Sequence, residues 1–319
     1  MRPMTRILID CDPGHDDAMA ILYAAKHLDL VAITTVHGNA PLEHTTRNAL
    51  SLCTLARLNV PVSAGADKPL VQPQLQKQTL HGKSGIDGGD MPEPDRDVTG
   101  EHAALTIIRE AKRSPGELVL AAVGPLTNVA LALRLEPKLP DLLKSLSIMG
   151  GSTTIGNVTP TAEFNVWADP EAAAAVFSCG IPVMMAGLNV TRQALISAPH
   201  IKRLRGTDGP VGKVMGDLLE FYAARSGAVY GLAGAPMHDS CAVVPFAHPD
   251  LIKHRACHVH MELASPEVRG TTVCDLRVFK SAPAAATRPQ LPSNALVALE
   301  IDGAAVVDRV VDAVTSYDA

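Results

Sequence analysis

Ile7-Leu8-Ile9-Asp10-Cys11-Asp12-Pro13-Gly14-His15-Asp16-Asp17-Ala18-Met19-Ala20-Ile21 is the stretch on which the reading of the whole chain turns. An apolar run ends in a tight turn, and Asp10, Asp12, Asp16 and Asp17 fall within eight residues there. Ile7 to Ile9 predict a short buried strand of a parallel sheet. Pro13 and Gly14 break that strand, and glycine permits the sharp reversal. Asp16 and Asp17 then open a helix whose apolar face is Ile21, Ala24, Ala25 and Leu28, at helical spacing. Helix capping accounts for Asp16 or Asp17. It does not account for Asp10 and Asp12, which end the strand. Open α/β sheets bind ligands at the carboxyl ends of their strands. Carboxylates converging there repel one another, and a hard cation with oxygen ligands, Ca2+ or Mg2+, relieves the repulsion. A metal site is the preferred reading over a solvated acidic turn.

The 319 residues suffice for one large α/β domain or two smaller ones. Apolar residues make up 47% and charged residues 19%, the balance of a globular protein. The formal net charge of −5, with no basic run or aromatic-basic stripe, argues against nucleic acid or an anionic membrane as partner. Cys11, Cys53, Cys179, Cys241, Cys257 and Cys274 are scattered without a CxxC pair and read as buried, reduced thiols. The chain enters a strand directly after Met4-Thr5-Arg6, with no apolar signal-peptide core. No apolar run is long enough to span a bilayer, so the expected compartment is the cytoplasm.

Beyond the first helix, strand and helix patterns alternate. Val31 to Val36 predict a second strand, followed by the turn His37-Gly38-Asn39 and a helix over 42–58. Pro61 to Gly65 is a short third strand. From Ala66 to Gly100 periodicity fades, and a loop of that length inside a domain is often functional. It carries His81, which reads equally as an exposed loop histidine or a site residue. Glu101 to Arg113 is helical, Leu118 to Val123 is a strongly apolar strand, and a helix runs from Gly124-Pro125-Leu126-Thr127-Asn128 through Leu135. Ser145 to Met149 and Pro182 to Gly187 are further strands, separated by the polar stretch Ser152 to Ala168 and by a helix opening at Asp169-Pro170-Glu171. Residues 199–252 read as mostly helical, including 211–225 and a helix after His238-Asp239. Late strands are expected over 259–263, 273–279 and 296–301, before a closing helix with Val306, Val307, Val310, Val311 and Val314 at helical spacing. The fold expected is α/β: a single domain over residues 1–319 with a mainly parallel, doubly wound central sheet flanked by helices, plus extra C-terminal strands and helices.

Asp12, Asp16, Asp17, Asn39, Thr127, Asn165 and Asp239 all follow apolar runs or start helices, positions that converge on one sheet edge. A pocket rich in Asp, Asn and Glu and poor in Lys and Arg suits a neutral polyhydroxylated ligand, a sugar, better than a phosphate.

The same residues carry a family resemblance. Asp10-Cys11-Asp12-Pro13-Gly14-His15-Asp16-Asp17 resembles the signature of the inosine-uridine-preferring nucleoside hydrolases. Val36-His37-Gly38-Asn39, Gly124-Pro125-Leu126-Thr127-Asn128, Met149-Gly150-Gly151, Ala162-Glu163-Phe164-Asn165 with Asp169-Pro170-Glu171-Ala172, and Met237-His238-Asp239 stand in the family's order. The resemblance implies a Ca2+ site with Asp12, Asp17, Asp239 and the main-chain carbonyl of Thr127 as ligands, completed by ribose hydroxyls and a water. By the same matching, Asp16 and Asn39 hold ribose hydroxyls, and Asn157, Glu163 and Asn165 grip the 5′ side. Met149 lines the pocket, and Asp10 is the supporting carboxylate. It further implies a nucleoside substrate and a homo-oligomer, tetramer or dimer.

In the expected chemistry, anionic groups stabilise an oxocarbenium-like transition state. Asp12 is the expected base for the attacking water. His238 is the expected acid for the leaving group, since histidine donates protons near neutral pH. His81 matches a second family histidine near the base. Trp167 is the chain's one tryptophan, which disfavours the tryptophan sandwich of purine-specific relatives. Tyr230 stands where pyrimidine-preferring relatives carry a tyrosine, although Ser226 replaces the glutamine some of them have. Tyr222 and Arg225 belong to the same segment, where Gly227, Gly231 and Gly234 would allow closure over the substrate. The expected activity is thus N-glycosidic hydrolysis of pyrimidine nucleosides or a broader set, in salvage or catabolism. Three rival readings exist. A haloacid-dehalogenase-type phosphatase with Mg2+ would explain Asp10-x-Asp12 but lacks the lysine that supports phosphate. A non-catalytic nucleoside or ribose binder would share the scaffold. The third is an α/β domain with an acidic turn and no site.

Overall fold

The computed structural model describes residues 4–73, 80–278 and 288–319. Strands β1 (Arg6–Cys11), β2 (Asp29–Thr35), β3 (Val62–Ala64), β4 (Leu118–Ala122), β5 (Leu143–Met149) and β6 (Val183–Ala186) lie parallel in the order β3-β2-β1-β4-β5-β6. The strand Ala295–Ile301 joins parallel to β6, and Ile252–Cys257 closes the eight-stranded sheet antiparallel. The order in which the chain adds strands reverses between β1 and β4, which opens a crevice at their carboxyl ends.

Strand alternation divides the apolar side chains between two cores. Ile7, Ile9 and Cys11 of β1, with Val119 and Ala121 of β4, face one core. Leu8, Leu118, Leu120 and Ala122 face the other. The first core takes side chains from α1 (His15–His27), α2 (Leu42–Ala56), the helix Pro210–Tyr230 and the closing helix Gly303–Thr315. The second is covered by α3 (Ala103–Arg113), α4 (Thr127–Leu135) and the helix Pro170–Phe177. This is the doubly wound α/β architecture expected from the alternating pattern.

Local differences have physical reasons. The spacing predicted a one-sided α1, yet every residue from His15 to Ala24 is buried. The closing helix and the helices Ser240–Val243 and Pro210–Tyr230 cover the side that the sheet leaves open. Leu28 is buried but caps the helix instead of belonging to it. The edge strand Ile252–Cys257 escaped notice because its interior residues are mostly exposed and polar, leaving little apolar alternation. Val259–Met261 and Thr272–Cys274 are shorter than expected and pair with each other in a separate hairpin. Phe279, the predicted end of the second of these, lies outside the described residues.

The helix expected over 211–225 runs on to Tyr230, so Ser226 and Gly227 are helical. Gly231 ends it at φ +68°, its N–H bonding Gly227 O at 3.0 Å. The described part of the 66–100 segment has no helix or strand but is tied down: Asn48 Nδ2 donates to Pro13 O at 2.9 Å and to Ser84 O at 3.0 Å. Among the described residues no helix is long and apolar enough to cross a membrane.

Candidate active site

The turn after β1 places Asp12 in a socket made by the ends of neighbouring strands. Asn39, in the turn after β2, donates its backbone N–H to Asp12 Oδ2 at 2.7 Å and its side-chain amide to Asp12 O at 3.1 Å. A Cβ on Gly38 would sit 2.0 Å from Asp12 Oδ2, and one on Gly124 would sit 2.6 Å from Oδ1. Both strand ends therefore require glycine. The Gly14 N–H donates to Asp17 Oδ2 at 2.8 Å, orienting that carboxylate at the start of α1. Asp239 arrives from the far side of the chain, just before the Ser240–Val243 helix.

Carboxylate oxygens of Asp16, Asp17 and Asp239 lie within 4.8 Å of one another, and all three residues are buried. Asp12, Asp16 and Asp239 line one cavity. Burial, reinforced by the neighbouring carboxylates, holds Asp12, Asp16 and Asp239 well above the usual carboxylate range. Burial also lifts Asp17 to about 6, partly offset by the Gly14 N–H. Among the described residues, Asp17 Oδ1 is buried without a hydrogen-bond donor. A buried group of carboxylate oxygens, one of them unpaired among the described residues, fits a hard divalent cation. Asp16 is thus gathered with Asp17 and Asp239, although the resemblance gave it to the sugar alone.

Asp10 does not reach the cavity wall. It accepts hydrogen bonds from Thr34 Oγ1 at 2.6 Å and Asn128 Nδ2 at 2.8 Å, tying β1 to β2 and α4. Burial lifts it to about 7. Thr127 also lies off the wall. Its hydroxyl donates to Asp169 Oδ2 at 2.7 Å, and as the first residue of α4 its carbonyl is committed to the helix ladder. Val123 lines the cavity instead, one residue before the glycine that packs on Asp12.

Met149, Asn157, Glu163 and Asn165 line the opposite wall. Glu163 caps the short helix Phe164–Ala168 by accepting from Asn165 N at 2.9 Å, and it accepts from Gly151 N at 2.9 Å. Burial raises its carboxyl to about 7. Asn165 Nδ2 donates to Val123 O at 2.8 Å and Met149 O at 3.1 Å, so it braces the ends of two strands. Asn157 Oδ1 accepts from Phe164 N at 2.9 Å.

His81, Tyr222, Tyr230 and His238 complete the wall. His81 is only 5% exposed, so the loop that carries it delivers it into the site. His238 Nδ1 lies 2.7 Å from Thr191 Oγ1, and burial, then Arg192, depresses it to about 3. Tyr222, which the sequence places only in a closing segment, is buried and stacked on His81 at 4.8 Å between ring centroids. His15 lies inside the opening motif, where nothing in the sequence marks it for a role. Its ring packs 5.1 Å from both His81 and Tyr222. These contacts join residues far apart in sequence, and no local pattern announces them. No Lys or Arg is among the described residues lining the cavity.

Residues 7–308 match the sequence pattern of a family described as inosine-uridine preferring nucleoside hydrolase. The chain belongs to that family. Nucleoside hydrolases cleave the N-glycosidic bond with water, and this chain is an enzyme of that class. It is 40% identical over 272 residues to pyrimidine-specific ribonucleoside hydrolase RihB of Escherichia coli K12, covering 85% of this chain and 87% of that one. Among solved structures, a plant nucleoside hydrolase (PpNRh1) superposes with a TM-score of 0.89 at 30% identity, covering 98% of this chain and 100% of the other. A purine-preferring ribonucleoside hydrolase from Gardnerella vaginalis gives 0.89 at 29% identity, covering 98% and 99%.

Proposed function

We propose that this nucleoside hydrolase acts on the pyrimidine ribonucleosides uridine and cytidine, or on a broader set that includes them, with Ca2+ in the acidic cluster. The observation that carries the reading is the buried cluster of Asp16, Asp17 and Asp239, with Asp12, Asp16 and Asp239 lining a cavity that has no lysine or arginine among its described residues. Asp12, Asp17 and Asp239 would hold the cation, with Asp16 close enough to share in it. Val123 replaces Thr127 as the main-chain oxygen donor, because its residue lines the cavity and the Thr127 carbonyl belongs to a helix. When bound, the cation would supply charge that acidifies a water and anchors vicinal hydroxyls.

The remaining chemistry belongs to the chain. Asp12 takes the proton of the attacking water, and the anionic wall stabilises positive charge developing on the sugar. Asp16 and Asn39 orient the ribose 2′ and 3′ hydroxyls. Asn157, Glu163 and Asn165, with Met149, contain its 5′ side. His238, which burial holds neutral in the free enzyme, would deliver a proton toward the departing base once it is charged in the complex, and His81 and Tyr230 flank that base. Pyrimidine preference is supported by Tyr230 on the wall, by Trp167 lying off it, and by the printed specificity of RihB. Asp10 keeps its supporting role at the end of β1. A cytoplasmic homo-oligomer, tetramer or dimer, serving nucleoside salvage or catabolism completes the proposal; light scattering tests its assembly.

Initial rates on uridine, cytidine, inosine and adenosine, before and after chelation and with Ca2+ or Mg2+ restored, test the reading. Uridine and cytidine should turn over faster than the purines, and chelation should stop turnover until Ca2+ returns. Faster inosine hydrolysis would overturn the base preference. Full activity after exhaustive chelation would overturn the cation, and tight ribose binding without turnover would make the chain a binder.

A further inference from the structure

We propose that His15 is a positioning residue that holds His81 in the Nδ1–H tautomer, so that His81 Nε2 meets the substrate as a hydrogen-bond acceptor. The inference rests on the reading that the cavity binds a nucleoside. His15 Nε2 lies 2.8 Å from the backbone oxygen of Asp87. A carbonyl only accepts, so Nε2 of His15 carries a hydrogen. In neutral imidazole the other nitrogen is then bare. That nitrogen, His15 Nδ1, lies 2.9 Å from His81 Nδ1. One hydrogen must occupy this contact, and it belongs to His81.

The alternative requires a cationic His15 that donates from both nitrogens. Its surroundings oppose a charge there. The ring is buried and packed against His81, Phe221 and Tyr222. The Asp87 carboxylate, which favours a charge on His15, is already occupied by Lys83 N, Ser84 N and Ser84 Oγ, and burial outweighs it. The His15 backbone N–H also donates toward His81 Nδ1, at 3.4 Å; this longer bond is given up when Nδ1 carries the hydrogen, in exchange for the 2.9 Å bond between the two rings. With Nδ1 protonated, the Nε2 of His81 is bare. It has no protein partner among the described residues, and His81 lines the cavity. The ligand it recognises must present an N–H or O–H donor. In its resting form His81 is therefore a reader of the substrate, not the source of the leaving group's proton.

The test is long-range 1H–15N correlation on histidine-labelled enzyme loaded with Ca2+, with His81 signals identified by their absence in His81→Ala, together with uridine kinetics. Wild-type His81 should show the Nδ1–H pattern. His15→Phe keeps a ring in the stack but removes the acceptor. It should scramble the tautomer and lower kcat/KM by about 10–100-fold, the usual range for loss of an orienting partner. His15→Asn, which restores an acceptor oxygen near the Nδ1 position, should recover most of that loss and the tautomer with it. An Nε2–H pattern in the wild-type enzyme overturns the proposal even if His15→Phe does not fold. Wild-type kinetics in His15→Phe, or no recovery in a folded His15→Asn, overturns it as well. Because the tautomer is read without turnover, failure here is distinct from failure of the assigned substrate.

Discussion

Asp12 shows how much one carboxylate depends on its neighbours. Its oxygens are confined by Gly38, Gly124 and the Asn39 amide, so its position is fixed before any substrate arrives. Asp12→Ala should lower uridine turnover by about 10²–10⁴-fold, the range for loss of a general base, while circular dichroism stays native. Unchanged turnover in the folded variant would remove Asp12 from the proton transfer. Asp12, Asp16 and Asp17 were legible in the sequence because eight consecutive residues carry the strand end, the turn and the helix start. The carbonyl donor was less so. Whether the Thr127 carbonyl stays outside the helix depends on where α4 begins, and helix boundaries are poorly marked in sequence. The stack of His15, His81 and Tyr222 was hidden altogether, since it joins three distant segments.

At the scale of elements, the site is a meeting of strand ends, and the close approach there is made possible by missing side chains. Gly38 follows β2 and its backbone lies against Asp12. Gly38→Ala puts a methyl where a carboxylate oxygen stands, so the turn after β2 must shift. Overpacking of this kind costs about 1–3 kcal/mol, and the shift carries Asn39 away from the ligands it orients. The expected result is a lower urea midpoint together with a weaker KM for uridine; an unchanged KM would show that the turn gives way without disturbing Asn39. The strand ends were readable because apolar runs stopped at glycine. The edge strand Ile252–Cys257 was not, because its exposed residues are polar and its pairing with Ala295–Ile301 spans the chain. Glu163 belongs to both scales: it faces the cavity and caps the helix beside it, a double duty that its sequence context does not reveal.

Across the whole molecule, the buried acids and bases set how stability responds to pH. Asp10 and Glu163 are lifted to about 7, and Asp12, Asp16 and Asp239 lie well above their usual range, chiefly through burial. A raised carboxyl binds its proton more tightly folded than unfolded, so its stabilising effect is lost as pH rises through the folded value. Buried His15 and His37, depressed to about 4, act oppositely, but only between there and the ordinary histidine value of about 6.5. Above that point the histidine effect, to which His81 and His238 also contribute, fades and the carboxyls dominate. The chelated enzyme should therefore melt at a lower temperature at pH 8 than at pH 6.5, and saturating Ca2+ should abolish most of the decline by binding the folded form. A chelated enzyme whose melting point rises over that interval would contradict the assignment. The burial of every α1 residue from His15 to Ala24 has a further consequence. A helix enclosed on every side over that length cannot be re-cut without disturbing both the sheet and its covering helices, so the cradle for the cation is the least adjustable part of the enzyme. Changes of nucleobase preference are left to the walls that can vary independently, the loop bearing His81 and the end of the Pro210–Tyr230 helix, and variants with altered selectivity are to be sought there.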